Sequence, residues 1–592
     1  MTFSKKNTAI PLSLILICII ARGFLIYYMS IAPLGAFCKE LAMESLTDNP
    51  FELHYNIAYP EEMGLEHLST NLIPFEESSY MNSNEIWLER AETLTRISSA
   101  HLNKEDSFLH ALLSRYVNLQ LKSLEFPYYE NPLSVSGGVH SQLPILLSEY
   151  AFRCKEDVEN YFLLLSQIPA YFEGISNYTK VQERNGISIY TKTLEEVKKQ
   201  CLELFPKTQL ENNTHFLQTS FQDRVQELVK EGIITDKEAS DYIARNTSLL
   251  NTKLQPAYEA LAVSMDTLKG TPTMSGLAAY PKGKEYYALL LSANTGSDKT
   301  VDDIQSMLYK RYDMLYNQYT TLLEQGTQVQ NWTFPIDGHS QMLQHLYNTA
   351  QEHFPALTTV TGDSPQTVQL KNVNGILADM SAPAFYMTPP MDANDEHTIY
   401  INPDADMQSL DLYTTLAHEG FPGHLYQTVY SQTAMNTNHE PLIRQLLYYG
   451  GFTEGWAVYA ELYSYDFAAA SCEEGLHDTL ELTRLNREIQ LCLCSILDIY
   501  IHYDAASLQD VEKLLKTLGL NSSSAESIYT AICDAPANYP KYYVGCLEIL
   551  NLKNTAKELW GEDYTDYAFH EWLLTSGPGD FGSLEEKLKN EN

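Results

Sequence analysis

His418-Glu419-Gly420-Phe421-Pro422-Gly423-His424 is the stretch on which the rest of the chain is organised. Two histidines flank a glutamate and a Gly-Phe-Pro-Gly insert, within a segment whose apolar residues (Leu410, Leu412, Leu416, Leu425 and Val429) otherwise recur at helical spacing. Two neutral imidazoles and a carboxylate are the protein half of a catalytic zinc site, with a fourth position left for water. In the usual H-E-x-x-H signature the histidines lie four residues apart, about 40° around the helix. Here they lie six residues apart. At roughly 100° per residue that is about 240°, on a different face. An unbroken helix cannot bring both imidazoles to one metal. The insert has the composition of a break: Gly420 and Gly423 permit unusual dihedrals, and Pro422 removes a backbone donor. A bulge or break between residues 419 and 424 is therefore predicted.

Thirty residues on, Glu454-Gly455-Trp456-Ala457-Val458-Tyr459-Ala460-Glu461 again reads as helix. Trp456, Tyr459, Tyr463 and Phe467 form an aromatic stripe, which is expected to be a core face. Glu454 and Glu461 are seven residues apart, within about 20° of each other and opposite Trp456. One of these carboxylates can bind metal while the other orients a ligand. A pair of glutamates on a solvated face is the plain alternative.

Working outward, 592 residues exceed one ordinary core, so a two-lobed unit or several domains are expected. The net charge of −37, from 39 Lys+Arg against 76 Asp+Glu, repels phosphate backbones and argues against a nucleic-acid partner. Residues 1–38 read as a signal peptide or N-terminal membrane anchor. Lys5 and Lys6 precede an apolar run from Ala9 to Ala21, Arg22 interrupts it, and Gly23 to Phe37 is apolar again. The protein is thus expected to be exported, extracellular or at the cell surface, with Cys38 a weak candidate for lipid attachment. The remainder reads as helical, as an N-terminal helical lobe over 39–290 and a catalytic helical lobe over 291–592, or one continuous domain over 39–592. Predicted helices include Ile86–Leu102, Phe108–Leu121, Val158–Phe172, Phe216–Val229 and Asp302–Gln325. Around 383–402 the period changes. Ala384–Met387 and Thr398–Ile401 read as a hairpin that either closes the core or adds a substrate peptide as a further strand. Nine cysteines form no C-x-x-C pair, and Cys154 with Cys201 and Cys533 with Cys546 are candidate bridges.

HEGFPGH followed by EGWAVYAE resembles the bacterial family called domain of unknown function 885. ELHYNIAYPEEMGL, PPMD, IYINP, R-x-x-R, D-x-x-x-H, YPKYYVG and FHEWLL-x-x-G follow in the order of that family. The resemblance implies a mainly α fold, akin to helical carboxypeptidases and the angiotensin-converting-enzyme group. The expected architecture is a large two-lobed helical shell with a deep central cleft and a small β-hairpin or sheet beside the zinc site. TEGWAVYAE is also similar to the NEGFA-x-Y segment of aminopeptidase N-type zinc peptidases, which implies that Glu454 is the third ligand. His418, His424 and Glu454 would then hold Zn2+, with Glu461 behind them. Glu419 would act as general base on the attacking water. An oxyanion donor is sought among Tyr542, Tyr543, His502, His570 and Arg487, with Tyr542 and His570 chosen.

The expectation is a zinc metallopeptidase hydrolysing peptides outside the cytoplasmic membrane. A zinc hydrolase of another amide or ester would use the same residues. A non-catalytic surface binding protein is the third reading. It predicts loss of a ligand or of Glu419, and all are present.

Overall fold

The computed structural model describes residues 22–591 apart from 24, 25, 48, 66–70, 73–76, 328–333, 362–366, 374–381, 404 and 406–408. The described chain is helical apart from one three-stranded sheet. Its first long helix is α1 (Ala32–Thr47). Leu34, Phe37, Cys38 and Leu41 are buried against Leu109, Leu113 and Ile443 of the folded body. The division after residue 38 therefore runs through a packed helix. Cys38 is a buried thiol, pushed up to about 12 by burial. The run from Ala9 to Ala21 lies outside the described residues. Among the described residues no helix is long and apolar enough to cross a membrane.

The N-terminal core is built by helices such as α2 (Lys155–Arg184) and α3 (Phe216–Lys230). On α2, Val158, Phe162, Leu165, Ile168 and Phe172 recur every three or four residues and are all buried. The helix continues twelve residues past Phe172, because Ile175, Tyr178 and Thr179 extend the buried stripe. Helix α4 (Gly283–Thr295) spans the expected lobe boundary at 290. Its Tyr287 and Leu291 pack with Ile304 and Leu308 of α5 (Val301–Glu324), so the second core begins before residue 290. The start of α5 is a capping box in which Thr300 accepts from the Asp303 N–H and the Asp303 carboxylate accepts from the Thr300 N–H.

The hairpin is present, with one more strand than expected. β1 (Thr367–Asn372) pairs parallel with β3 (Glu396–Ile401), and β2 (Ala384–Met387) pairs antiparallel with β3, giving the order β1-β3-β2. The sheet stands between the two cores. On β3, Ile399 and Ile401 face the core that holds the metal-binding motif, while Tyr400 faces the N-terminal one. On β2, Tyr386 and Phe385 divide the same way, as the two-residue period of a strand requires. The described cysteines are all free, so neither expected bridge forms. Cys154 is exposed ahead of α2 while Cys201 and Cys546 are buried.

The segments that carry the motif are α6 (Ser409–Glu419), α7 (His424–Thr437), α8 (Gly450–Ala470), α9 (His477–His502) and α10 (Asn538–Trp560). Helices α4, α8 and α10 meet backbone to backbone. A Cβ at Gly455 would lie 2.3 Å from the Gly545 carbonyl carbon, one at Gly545 would lie 2.1 Å from the Gly451 oxygen, and one at Gly451 would lie 1.9 Å from the Thr295 oxygen. These neighbours are main chain and cannot rotate away. Gly545→Ala is expected to lower the unfolding free energy by about 1–3 kcal/mol, the usual range for overpacking. Gly475→Ala, where nothing lies within 4 Å, should change it by less than about 0.5 kcal/mol. Urea titrations of the two variants against the parent check this.

Candidate metal centre

The helix breaks where the spacing of the histidines requires it. The Gly420 N–H still bonds the Leu416 carbonyl at 2.9 Å, after which the ladder stops. It resumes with Gln427 N–H to Gly423 O at 2.9 Å. In between, the Phe421–Pro422 peptide is cis. At Gly423 the chain presses back onto the last turn of α6, and a Cβ there would lie 1.9 Å from the His418 carbonyl oxygen. Only glycine fits. The Trp456 indole N–H donates to the Pro422 carbonyl at 2.8 Å and ties the break to α8. The two imidazoles thereby meet, with ring centroids 4.9 Å apart and planes at 83°.

Two carboxylates compete for the role of third ligand. His418, Glu419 and His424 each offer a donor atom within 4.8 Å of the others, so proximity alone would admit Glu419. The contacts separate the two. A single oxygen of Glu454, Oε2, faces both imidazoles, 3.3 Å from His424 Nε2 and 3.8 Å from His418 Nε2. Glu419 Oε2 instead accepts the backbone N–H of Tyr386 on β2 at 2.8 Å. Glu454 thus presents one oxygen to both imidazoles, and Glu419 is held beside them from the sheet.

Behind the donors lies a second carboxylate. His418 Nδ1 donates to Glu461 Oε2 at 3.1 Å, and Glu461 accepts from Arg487 Nε at 2.6 Å. Burial would raise the Glu461 carboxyl, but Arg487 and His418 outweigh it and hold it near 2. Burial works against charge on His418 too, yet the carboxylates of Glu454 and Glu461 lift its imidazole to about 10. For Glu454, the two imidazoles and Lys541 overcome burial and keep the carboxyl well below the usual range. The cluster therefore attracts positive charge, and a metal ion competes with a proton for the same imidazole nitrogen. The donor set fits zinc: two imidazole nitrogens and one carboxylate oxygen, with a carboxylate–histidine pair fixing which nitrogen points inward.

Tyr542 joins this cluster. Its ring stacks near His418, with centroids 6.4 Å apart and planes at 28°. Burial and the neighbouring Glu454 carboxylate raise its phenol, which stays a proton-bearing donor. His570 does not join, which corrects the expectation of a catalytic role. It is fully buried on the Trp456 side of α8, its Nδ1 2.9 Å from the His353 carbonyl and its Nε2 2.8 Å from the Tyr459 hydroxyl. Burial pushes it down to about 3. Tyr543 is also core, donating to Glu488 at 2.7 Å, and His502 caps loops through Leu277 N–H and Ile532 O. Arg487 reaches the centre only through Glu461.

A profile of the family described as bacterial protein of unknown function (DUF885) matches residues 61–588. The chain is a DUF885 protein. Its fold is similar to that of a candidate lipoprotein from Colwellia psychrerythraea, with a TM-score of 0.72 and 16% identity over 96% of this chain and 98% of that one. A candidate lipoprotein of unknown function from Shewanella oneidensis is similar at a TM-score of 0.60 and 16% identity, over 94% and 98% of the two chains. More remote is PZ peptidase A with inhibitor 2, at a TM-score of 0.36 and 9% identity over 88% and 98%. No curated protein matches.

Three residues of this DUF885 protein were not singled out from sequence. Tyr386 acts through a backbone N–H, which no side-chain pattern reveals. Lys541 places Nζ 3.5 Å from Glu454 Oε1; it stands in the YPKYYVG motif, ahead of the tyrosines that draw the eye. Tyr448 leaves its ring 68% exposed, with its Cε1 3.3 Å from where a Cβ at Gly450 would lie. Replacing Glu461 with Gln weakens the acceptor that fixes His418. Zinc affinity is expected to fall 10–100-fold in a chelator-competition titration, the usual effect of losing such a partner. Unchanged affinity would mean that Glu461 does not support the donor set.

Proposed function

We propose that this DUF885 protein is a zinc-dependent metallopeptidase that hydrolyses peptides outside the cytoplasmic membrane. The observation that carries the reading is the division of labour between two glutamates. Glu454 Oε2 faces both imidazoles, while Glu419, whose carboxylate also lies within 4.8 Å of their nitrogens, is held by the Tyr386 N–H. His418, His424 and Glu454 would hold the metal. When bound, zinc acidifies a water and polarises a carbonyl. Glu419 has one oxygen occupied by the Tyr386 N–H, which orients the carboxylate and leaves Oε1 to take the proton of the attacking water. The same oxygen then delivers that proton to the departing amine as the C–N bond breaks. The Tyr542 hydroxyl donates to the carbonyl oxygen as it gains charge.

Two further observations favour a peptide as substrate and an exported protein. β2 is an edge of the described sheet and lies directly beside Glu419, where an extended peptide can add as a strand. The sequence begins with a charged and then apolar segment, and the two most similar folds above are those of candidate lipoproteins.

Glu419→Gln is expected to reduce hydrolysis of a mixed peptide library by about 10²–10⁴-fold, the range for a lost general base, with zinc content unchanged. Mass-spectrometric mapping of products together with metal analysis checks both halves. Full cleavage by the zinc-loaded variant would overturn the mechanism. Turnover of small esters with no peptide cut would turn the reading toward another amide or ester hydrolase.

A further inference from the structure

Among the described residues, Lys541 is the one side chain in contact with the donor set whose charge works against holding a metal. It lies in the first turn of α10, its Nζ 3.5 Å from Glu454 Oε1 and 5.1 Å from the centre of the Tyr542 ring. Its stem runs across α8 at Gly450, where an added Cβ would lie 3.6 Å from Lys541 Cδ. The side chain is 19% exposed, so the ammonium is neither sealed in the core nor free in solvent. Glu454 turns its other oxygen, Oε2, to the imidazoles. A cation placed here repels a divalent ion bound at Oε2. A purely structural partner for Glu454 could be a neutral donor without that penalty.

We infer that Lys541 is a second electrophile of the site, sharing with Tyr542 the negative charge that develops on the substrate carbonyl oxygen. This rests on the peptidase reading above. Lys541 and Tyr542 are adjacent in sequence, sit on one turn of helix and both reach the cluster, Tyr542 against His418 and Lys541 against Glu454, with the Lys541 ammonium 5.1 Å from the Tyr542 ring centre. As the water oxygen bonds to the carbonyl carbon, the C=O π pair moves onto oxygen. That oxygen gains a full charge, and the ammonium N–H of Lys541 receives it as a charge-assisted hydrogen bond without transferring its proton. The pair returns to re-form C=O when the C–N bond breaks, and the water proton taken by Glu419 leaves on the amine. Before substrate enters, Glu454 Oε1 holds the ammonium in place, so the donor is oriented in advance.

The experiment compares Lys541→Met and Lys541→Arg with the full-length zinc-loaded parent, after unfolding midpoints establish that each variant is folded. It follows zinc affinity of the metal-free proteins by chelator competition, kcat and KM on a peptide the parent cleaves, and inhibition by a phosphinic analogue of that peptide, whose tetrahedral oxygens carry negative charge. For Lys541→Met, zinc affinity is expected to be equal or tighter, because a repelling charge is gone. The kcat should fall about 10²–10³-fold, as for a lost oxyanion donor, with KM within a few-fold. Phosphinic inhibition should weaken in step with kcat/KM. Lys541→Arg keeps the charge and should recover part of both. Weaker zinc binding with the rate restored by excess zinc would make Lys541 a positioning residue for Glu454 and overturn the proposal. So would an unchanged kcat in Lys541→Met while Glu419→Gln is inactive. A parent that cleaves no peptide at all would overturn the peptidase reading and this inference together.

Discussion

Three helices touch through bare backbone at Gly451, Gly455 and Gly545, and the geometry of the centre depends on that contact. Any side chain at these positions would hold α8 away from α10 or α4 by more than an ångström. The cluster around the imidazoles tolerates no such gap, because Glu454 comes from α8 while Tyr542 and Lys541, which approach it, come from α10. Close approach without side chains trades local helix propensity for registry, since glycine disfavours helix by about 1 kcal/mol per residue relative to alanine. The surrounding aromatic packing of Trp456, Phe354 and Tyr463 supplies the apolar burial that offsets it.

The second constraint is the break between α6 and α7. Six residues of separation put the histidines on different faces, and the four-residue excursion through Gly420–Gly423 turns them back toward each other. Three contacts hold that excursion: Gly423 against the His418 carbonyl, Gly420 against Leu343 and Leu416, and Trp456 on the Pro422 carbonyl. Because Trp456 and Glu454 share α8, the anchor of the break and the third donor move as one body.

Charge completes the centre. Glu419, Glu454 and Glu461 converge on two imidazoles, with Arg487 and Lys541 as the cations in direct contact. Arg487 neutralises the buried Glu461 carboxylate and makes it a fixed acceptor for His418. Lys541 lies on the Glu454 side. The two cations therefore engage different carboxylates: Arg487 holds the one that bonds His418, and Lys541 the one that faces both imidazoles.

Much of this was legible in the chain. A mainly helical fold followed from three- and four-residue apolar periods, as in Val158–Phe172 and Asp302–Gln325, because amphipathic helices bury one stripe. The hairpin at Ala384–Ile401 followed from a change of period, and the break at 420–423 from helix geometry alone. What sequence could not supply were relations between distant segments. β1 was missed because a parallel partner makes no local turn signal, and residues 38 and 290 lie within the continuous packed helices α1 and α4. His570 sits in a family-like motif, yet packing turned it onto the aromatic side of α8, where both its nitrogens are engaged. By itself the sequence marked the candidate metal-binding residues and required that their helix break, since spacing and backbone chemistry are local properties. Only the tertiary structure decided that Glu454 faces both imidazoles, that a strand N–H holds Glu419, and that Lys541 stands beside them. Those contacts join residues 30 to 87 positions apart, through surfaces that exist only once the helices have packed.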